Sequence, residues 1–407
     1  MSGVANRSLS RRRRFGFLAA ATLLGLGAVE LAARLALAFW PAPPAELRVV
    51  GRELDTSWLE VLAADLDAPE NAAQLYATDP ELFWRLRPGA ELAPVNVVYE
   101  TRDEPVRWRV TVDRRGRRGP AAEPGGAPRV VALGDSCTFG YRVDDDDTYP
   151  AQLRTILRER GQPRAEVVNY GVPGYSSYQG RRLLDRVLAG DRPDVVVLGF
   201  GANDRETDRW SDAEKAGRLT ALRVRTAQLL DRAAIARLLR RALDDGEGEP
   251  SDPGVGAAGA AKPRVSLTEY EANLRAMVGA ARAAGARVIL LDLVFVEPLF
   301  RDCIARVAAD EGVAWLDGRE LLRAGLRELE PGGRLVAARY RMDQFWRRVE
   351  RYRLVYYDQE FYDRLYQDPE WKQLLRYFMV EPVHANALGN RLIAERLAEL
   401  IAEPATE

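Results

Sequence analysis

The chain has 407 residues, 47% of them hydrophobic and 29% charged, a balance that supports a large buried core and excludes an intrinsically disordered chain. Lys and Arg number 59 against 60 Asp and Glu, a net charge of −1, so no global charge draws the protein to nucleic acid and no such partner is expected.

In chain order, Arg7 and the run Arg11 to Arg14 make residues 1–14 a basic segment ahead of Phe15 to Trp40, which is mostly Ala, Leu and Gly. About 20 apolar residues at 1.5 Å each cross a bilayer core, and arginines before a span hold that end in the cytoplasm. Residues 15–40 are therefore predicted to be a single membrane-spanning anchor, with the remaining mass on the periplasmic or extracellular side. Glu30 and Arg34 interrupt the run four residues apart, a spacing that lets them pair on one helix face. The alternative is a cleaved secretory signal, since Ala36-Leu37-Ala38 has a cleavage-site pattern, although the apolar region is long for that role. Residues 41–127 read as a linker and a small β-rich appendage, with strands at Val97 to Tyr99 and Trp108 to Val112.

From Arg129 the pattern changes. Apolar runs at Arg129 to Leu133, Glu166 to Asn169, Asp194 to Phe200, Arg287 to Val294 and Val313 to Asp317 alternate with helical stretches. Short buried strands separated by helices predict a parallel sheet with helices on both faces, spanning residues 128–402, and sites in such sheets lie at the carboxyl ends of strands. The first strand runs into Gly134-Asp135-Ser136, where the glycines allow a tight turn that presents Ser136. Asp144 to Asp147 reads as a solvated acidic turn rather than a calcium loop, with Thr148 capping a helix that begins near Pro150. The second strand leads to Gly174 and the third to Gly201-Ala202-Asn203-Asp204; a backbone amide and an Asn side chain are suitable donors to a developing oxyanion.

Two insertions interrupt the domain, at about residues 205–264 and 331–378. The first holds helical segments and then Asp244 to Pro263, a flexible linker by composition. Gly254 to Gly259 spells a dinucleotide fingerprint, but no strand precedes it, so no nucleotide cofactor is expected. The second is crowded with aromatics, including Tyr340, Trp346, Tyr352, Phe361, Trp371 and Phe378. It reads either as amphipathic helices using the rings as core or as a lid whose rings stack on sugars or touch the membrane surface.

The chain has a single histidine, His384, in Glu381-Pro382-Val383-His384, ahead of a helical run from Ala387 to Ala402. Imidazole is the usual base for a serine nucleophile near neutral pH, and a carboxylate three residues earlier can fold back to orient the ring. Cys137 and Cys303 are the only cysteines. Cys137 adjoins Ser136 in a turn that chemistry keeps fixed, so a small buried thiol is expected rather than a disulfide. No Cys or His cluster suits a metal, and no cofactor is expected.

Taken together and in this order, the Gly-Asp-Ser block at Ser136, Gly174, the Gly201-x-Asn203-Asp204 block and the carboxylate-x-x-His384 block resemble the SGNH/GDSL hydrolase family. The resemblance implies a flavodoxin-like three-layer α/β/α sandwich and ester hydrolysis through an acyl-serine. It assigns Ser136 as nucleophile, His384 as base, and the Ser136 and Gly174 amides with Asn203 as oxyanion hole, with Asp135 and Asp204 supporting. Glu381 stands where the family carries Asp, so a Ser-His dyad is the alternative to a triad. The resulting expectation is a membrane-anchored, exported serine esterase acting on acyl esters of an envelope glycan or lipid. Two alternatives use the same fold: an O-acyltransferase to a surface polysaccharide, and a non-catalytic envelope interaction protein.

Overall fold

The structure, a computed structural model, describes residues 11–39, 74–94, 107–121, 125–208, 210–218, 225–226, 229, 232–244, 262–292, 298–329, 374, 378–379 and 384–403. Helix α1 (Arg11–Phe39) is long and apolar enough from Phe15 to Phe39 to cross a membrane, a profile that a signal sequence shares. Arg34 Nε donates to Glu30 Oε1 at 3.0 Å one turn away.

Four short strands follow. β1 (Tyr76–Asp79) pairs antiparallel with β2 (Phe83–Leu86), and β3 (Glu91–Leu92) pairs antiparallel with β4 (Val110–Thr111). Val97 to Tyr99 lies outside the described residues.

The main domain is a five-stranded parallel sheet. In chain order its elements are β5 (Arg129–Gly134), α2 (Ser136–Phe139), α3 (Tyr149–Glu159), β6 (Glu166–Gly171), α4 (Ser177–Gly190) and β7 (Val195–Gly199). Next come β8 (Thr207–Asp208), α5 (Asp212–Arg218), α6 (Ala234–Asp244) and β9 (Lys262–Pro263), then α7 (Leu267–Ala283) and β10 (Arg287–Asp292). The domain closes with α8 (Pro298–Glu311), β11 (Ala314–Asp317), α9 (Gly318–Leu329) and α10 (Ala387–Ala402). The strand order is β11-β10-β7-β5-β6.

The strands are apolar on both faces because both faces are covered. Val131 and Leu133 of β5 join one core cluster with residues of α4, α7 and α8 and of the β1–β2 hairpin. Val130 and Ala132, pointing the other way, join a second cluster with α3 and α10. The three-layer sandwich follows, with the carboxyl ends of β5, β6 and β7 side by side: Gly134 is in register with Gly171 on one side and Gly199 on the other. The first insertion contributes α5, α6 and the small β8–β9 pair, and Glu30 of α1 accepts the Ala234 and Ile235 amides, at 2.9 and 3.2 Å, where α6 begins. The linker glycines and the second insertion up to its last residues lie outside the described residues.

The acidic run departs from the expected solvated turn. Thr148 does cap α3, its hydroxyl accepting from Ala151 N, but Asp145 is only 3% exposed. It accepts from Arg118 Nε at 2.6 Å and from the Thr111 amide and hydroxyl at 3.1 and 2.7 Å. Arg118 is itself buried, so each charge offsets the other's desolvation. A local run of four aspartates could not reveal a partner 27 residues upstream.

Candidate active site

Ser136 opens α2, a single turn whose ends are both capped. Asp135 holds an extended backbone and its carboxylate accepts the Cys137 amide at 2.8 Å, while Gly140 ends the turn at φ +78°. The Ser136 amide lies in the first turn, where helical geometry gives an N–H no intrahelical acceptor. Asn169 of β6 ties this turn to the sheet: its Nδ2 donates to Thr138 O at 2.9 Å and its Oδ1 accepts Gly171 N at 2.8 Å.

His384 reaches the same turn from the other end of the chain. Its Nε2 lies 2.7 Å from Ser136 Oγ. Asn386 caps α10 by accepting Gly389 N at 3.0 Å, and its own amide donates to Phe378 O at 2.8 Å. Asn390 then braces the two halves of the contact: Nδ2 donates to Ala385 O at 2.9 Å and Oδ1 accepts the Tyr149 amide at 3.2 Å. The Tyr149 hydroxyl in turn lies 3.2 Å from Thr138 Oγ1 on the Ser136 turn. Ser136 is 9% exposed and His384 partly buried, so the contact sits at the floor of the strand ends.

Gly174 and Asn203 approach from the neighbouring strands. Val172-Pro173-Gly174-Tyr175 is a turn with Tyr175 N donating to Val172 O at 3.2 Å and Gly174 at φ +79°, a conformation that a side chain would strain. Asn203 Nδ2 donates to Tyr175 O at 3.0 Å and to Asp135 Oδ2 at 3.2 Å. Reversing the amide would set its oxygen against a carbonyl and a carboxylate, so this orientation stands. Both amide hydrogens are thus engaged, and donation to an oxyanion requires the longer bond, to Asp135, to be exchanged.

Asp204 lies beneath the turn rather than in it. It is fully buried and accepts the Ser177 amide at 2.9 Å and the Ser177 hydroxyl, while Asn273 Nδ2 donates to Ser177 Oγ at 3.0 Å. Burial raises its pKa to about 7 against the opposing pull of the Ser177 donors. Burial likewise raises Asp135 to about 6, opposed by the Cys137 amide. The same burial, with Asp135 alongside, raises the Cys137 thiol. Neither Cys137 nor Cys303 is in a disulfide, and both are buried. Burial and then the Arg142 guanidinium hold the His384 pKa well below its ordinary 6.5, so the imidazole is neutral in the resting protein.

Glu381, the expected orienting acid, lies outside the described residues, as do Trp346 and Trp371 of the aromatic insertion. Phe378 is described and is fully buried, its ring within 3.3 Å of where a Cβ on Gly325 would sit. Sequence reasoning missed two neighbours of the contact and one buried acid at a strand end. The Tyr141 ring lies 5.2 Å from the His384 ring, Arg142 holds φ +68° with a buried side chain, and Asp292 sits buried at the carboxyl end of β10 with burial raising its pKa to about 7. Arg142 carried a faint signal, following the Gly140 that ends the Ser136 turn; Asp292 carried one as the acid within an apolar run.

Comparison with known proteins places the chain in a family. A profile of the GDSL-like lipase/acylhydrolase family matches residues 132–392. An arylesterase from Vibrio mimicus is 33% identical over 76 residues, 19% of this chain and 38% of that protein. A thioesterase 1/protease 1/lysophospholipase L1 from Escherichia coli (strain K12) is 33% identical over 78 residues, 19% of this chain and 36% of that one. The chain thus spans little more than a third of the length of these curated relatives. A solved catalytic mutant of an acetylxylan esterase from Geobacillus stearothermophilus is 15% identical, covering 70% of this chain and 98% of that chain at a TM-score of 0.36. The profile match takes in Ser136, Gly174 and Asn203 and reaches past His384, and it covers well over half of the 407 residues: the chain belongs to the GDSL-like lipase/acylhydrolase family.

Proposed function

We propose that this chain is a serine ester hydrolase, a reading carried by the 2.7 Å approach of His384 Nε2 to Ser136 Oγ at the carboxyl ends of the strands. His384 takes the Ser136 proton as Oγ attacks the ester carbonyl, and the oxyanion accepts from the Ser136 and Gly174 amides and from Asn203. His384 returns the proton to the departing alcohol, leaving an acyl-serine. Water, deprotonated by His384, then attacks that acyl group; the bond to Ser136 Oγ breaks to release the acid, and His384 returns the proton to Oγ. Glu381 is the proposed orienting acid for the imidazole. Helix α1 is proposed to be retained as an anchor with the catalytic domain exported, which confines its substrates to esters within reach of the membrane, and an O-acyl group on an envelope glycan suits that confinement.

The test is a series of aryl esters of increasing acyl length, with acetylated glycan alongside, given to the full-length protein and to Ser136→Ala and His384→Ala. Ester hydrolysis lost in both variants, with acetyl release from glycan, supports the reading. Silence on every ester sinks the hydrolase assignment, and a preference for long acyl chains sinks the glycan assignment in favour of a lipid ester.

A further inference from the structure

The N–H of Gly174 belongs to a planar peptide whose other half is the Pro173 carbonyl. In a trans peptide these two bonds point in opposite directions, so whatever fixes the carbonyl fixes where the N–H points. Trp84 supplies that contact: its Nε1 donates to Pro173 O at 3.2 Å. Trp84 lies in β2, outside residues 132–392 that match the family and 89 residues before Pro173 in the chain.

The placement of Trp84 is enforced from several sides. Its side chain is 0% exposed, and its ring meets the Tyr175 ring edge-on at 5.6 Å. The Tyr175 hydroxyl donates to the Trp84 carbonyl at 2.5 Å, so each residue anchors the other. Immediately before it, Phe83 holds φ +69°, and Trp84 N donates to Leu82 O at 2.8 Å. That is a γ-turn of the strained hand, rare for any residue and unfavourable for a bulky one. Such strain persists where the surroundings impose it. Phe83 is fully buried and stacks on Tyr178 with ring centroids 6.1 Å apart, and Leu82 O also accepts Gln179 Nε2 at 2.9 Å. Arg186 of α4 grips Asp79 at the end of β1, where the same hairpin turns, at 2.7 and 2.9 Å. On the far side of Gly174, Arg264 Nη1 donates to the Gly174 carbonyl at 2.9 Å. Both peptides that meet at Gly174 are therefore held by side chains reaching in from outside the five-stranded sheet.

We propose that Trp84 is a positioning residue for ester hydrolysis, holding the Pro173–Gly174 peptide so that the Gly174 N–H faces the oxyanion, and that the hairpin 76–86 is thereby a working part of the active site. This rests on the serine-hydrolase reading. A donor that serves only the developing oxyanion changes kcat and leaves KM nearly alone, whereas a merely structural loss lowers the amount of folded protein.

The experiment is steady-state hydrolysis of p-nitrophenyl acetate by the full-length protein, comparing wild type with Trp84→Phe and with Trp84 replaced by 3-benzothienylalanine. The second keeps the shape of the indole and exchanges the N–H for sulfur, so it reports even if the phenylalanine variant folds poorly. Expected in both is a fall in kcat of between about tenfold and a hundredfold, with KM within about twofold of wild type. A benzothienylalanine protein with wild-type kcat overturns the role of Trp84 and leaves the hydrolase reading intact. Wild-type protein with no Ser136-dependent turnover overturns the hydrolase reading and this proposal with it.

Discussion

Replacing Gly171 by Ala should disable the site without unfolding the protein. Gly171 ends β6, and a Cβ there would lie 2.1 Å from Phe139 N, 2.6 Å from Thr138 C and 2.7 Å from Phe139 Cα. All three are backbone atoms of α2, the turn that carries Ser136, so no side-chain rotation relieves the clash. Ordinary contact begins near 3.4 Å, so strand and turn must part by about 1.3 Å, the difference between 3.4 and 2.1 Å. A displacement of about 1 Å at reacting atoms costs on the order of a hundredfold in rate. Overpacking of this kind costs about 1–3 kcal/mol, within a typical domain's margin of about 5–15 kcal/mol. The predicted result is a folded variant with kcat toward p-nitrophenyl acetate down about a hundredfold. Gly279→Ala, on α7 where a Cβ meets nothing within 4 Å, is the companion measurement. It should keep the wild-type rate and gain up to about 1 kcal/mol from the better helix former. A Gly171→Ala protein with the wild-type melting midpoint and wild-type kcat would refute the claim that this close approach sets the position of Ser136.

Two further outcomes follow from the electrostatics. His384 acts as a base only when neutral, and burial and Arg142 depress its pKa, so kcat/KM should stay level from pH 8 down to 6.5 and fall only at lower pH. An acid limb centred above 6.5 in the wild type would contradict that environment. Asp145→Ala removes the partner 2.6 Å from the buried Arg118 guanidinium. Stranding that charge should cost about 3–5 kcal/mol in urea unfolding, and a loss under about 1 kcal/mol would mean the pair is not buried as described.

The sheet was legible because its strands are covered on both faces, which writes β5, β7 and β10 around unbroken apolar runs, Val130 to Leu133, Val195 to Leu198 and Val288 to Leu291. Arg129–Gly134 and Arg287–Asp292 begin where the expected runs begin; the first extends one residue past Leu133, where hydrogen bonding rather than hydrophobicity decides the last residue, and the expected end of the second, Val294, lies outside the described residues. Helix α10 matches its expected bounds, Ala387 to Ala402, because Asn386 caps its start and the apolar spacing persists to its end. The contact between Ser136 and His384 was legible for a different reason: a chain with one histidine offers one imidazole. What the sequence could not carry were contacts set by tertiary approach. The acidic run misled because Arg118 arrives from another segment. The engagement of both Asn203 hydrogens depends on where the Tyr175 carbonyl falls after the turn at Gly174. Trp84 meets Pro173 across 89 residues, and no periodicity or motif in the appendage points to it.

The central claim is that Ser136 Oγ becomes acylated, and direct capture of that intermediate tests it. Full-length protein mixed with p-nitrophenyl acetate and quenched in acid within the first turnovers should gain the mass of one acetyl group, localised by peptide mapping to the segment holding Ser136 and missing from Ser136→Ala. An acetyl group on another residue, or ester hydrolysis that persists in Ser136→Ala, would contradict the account.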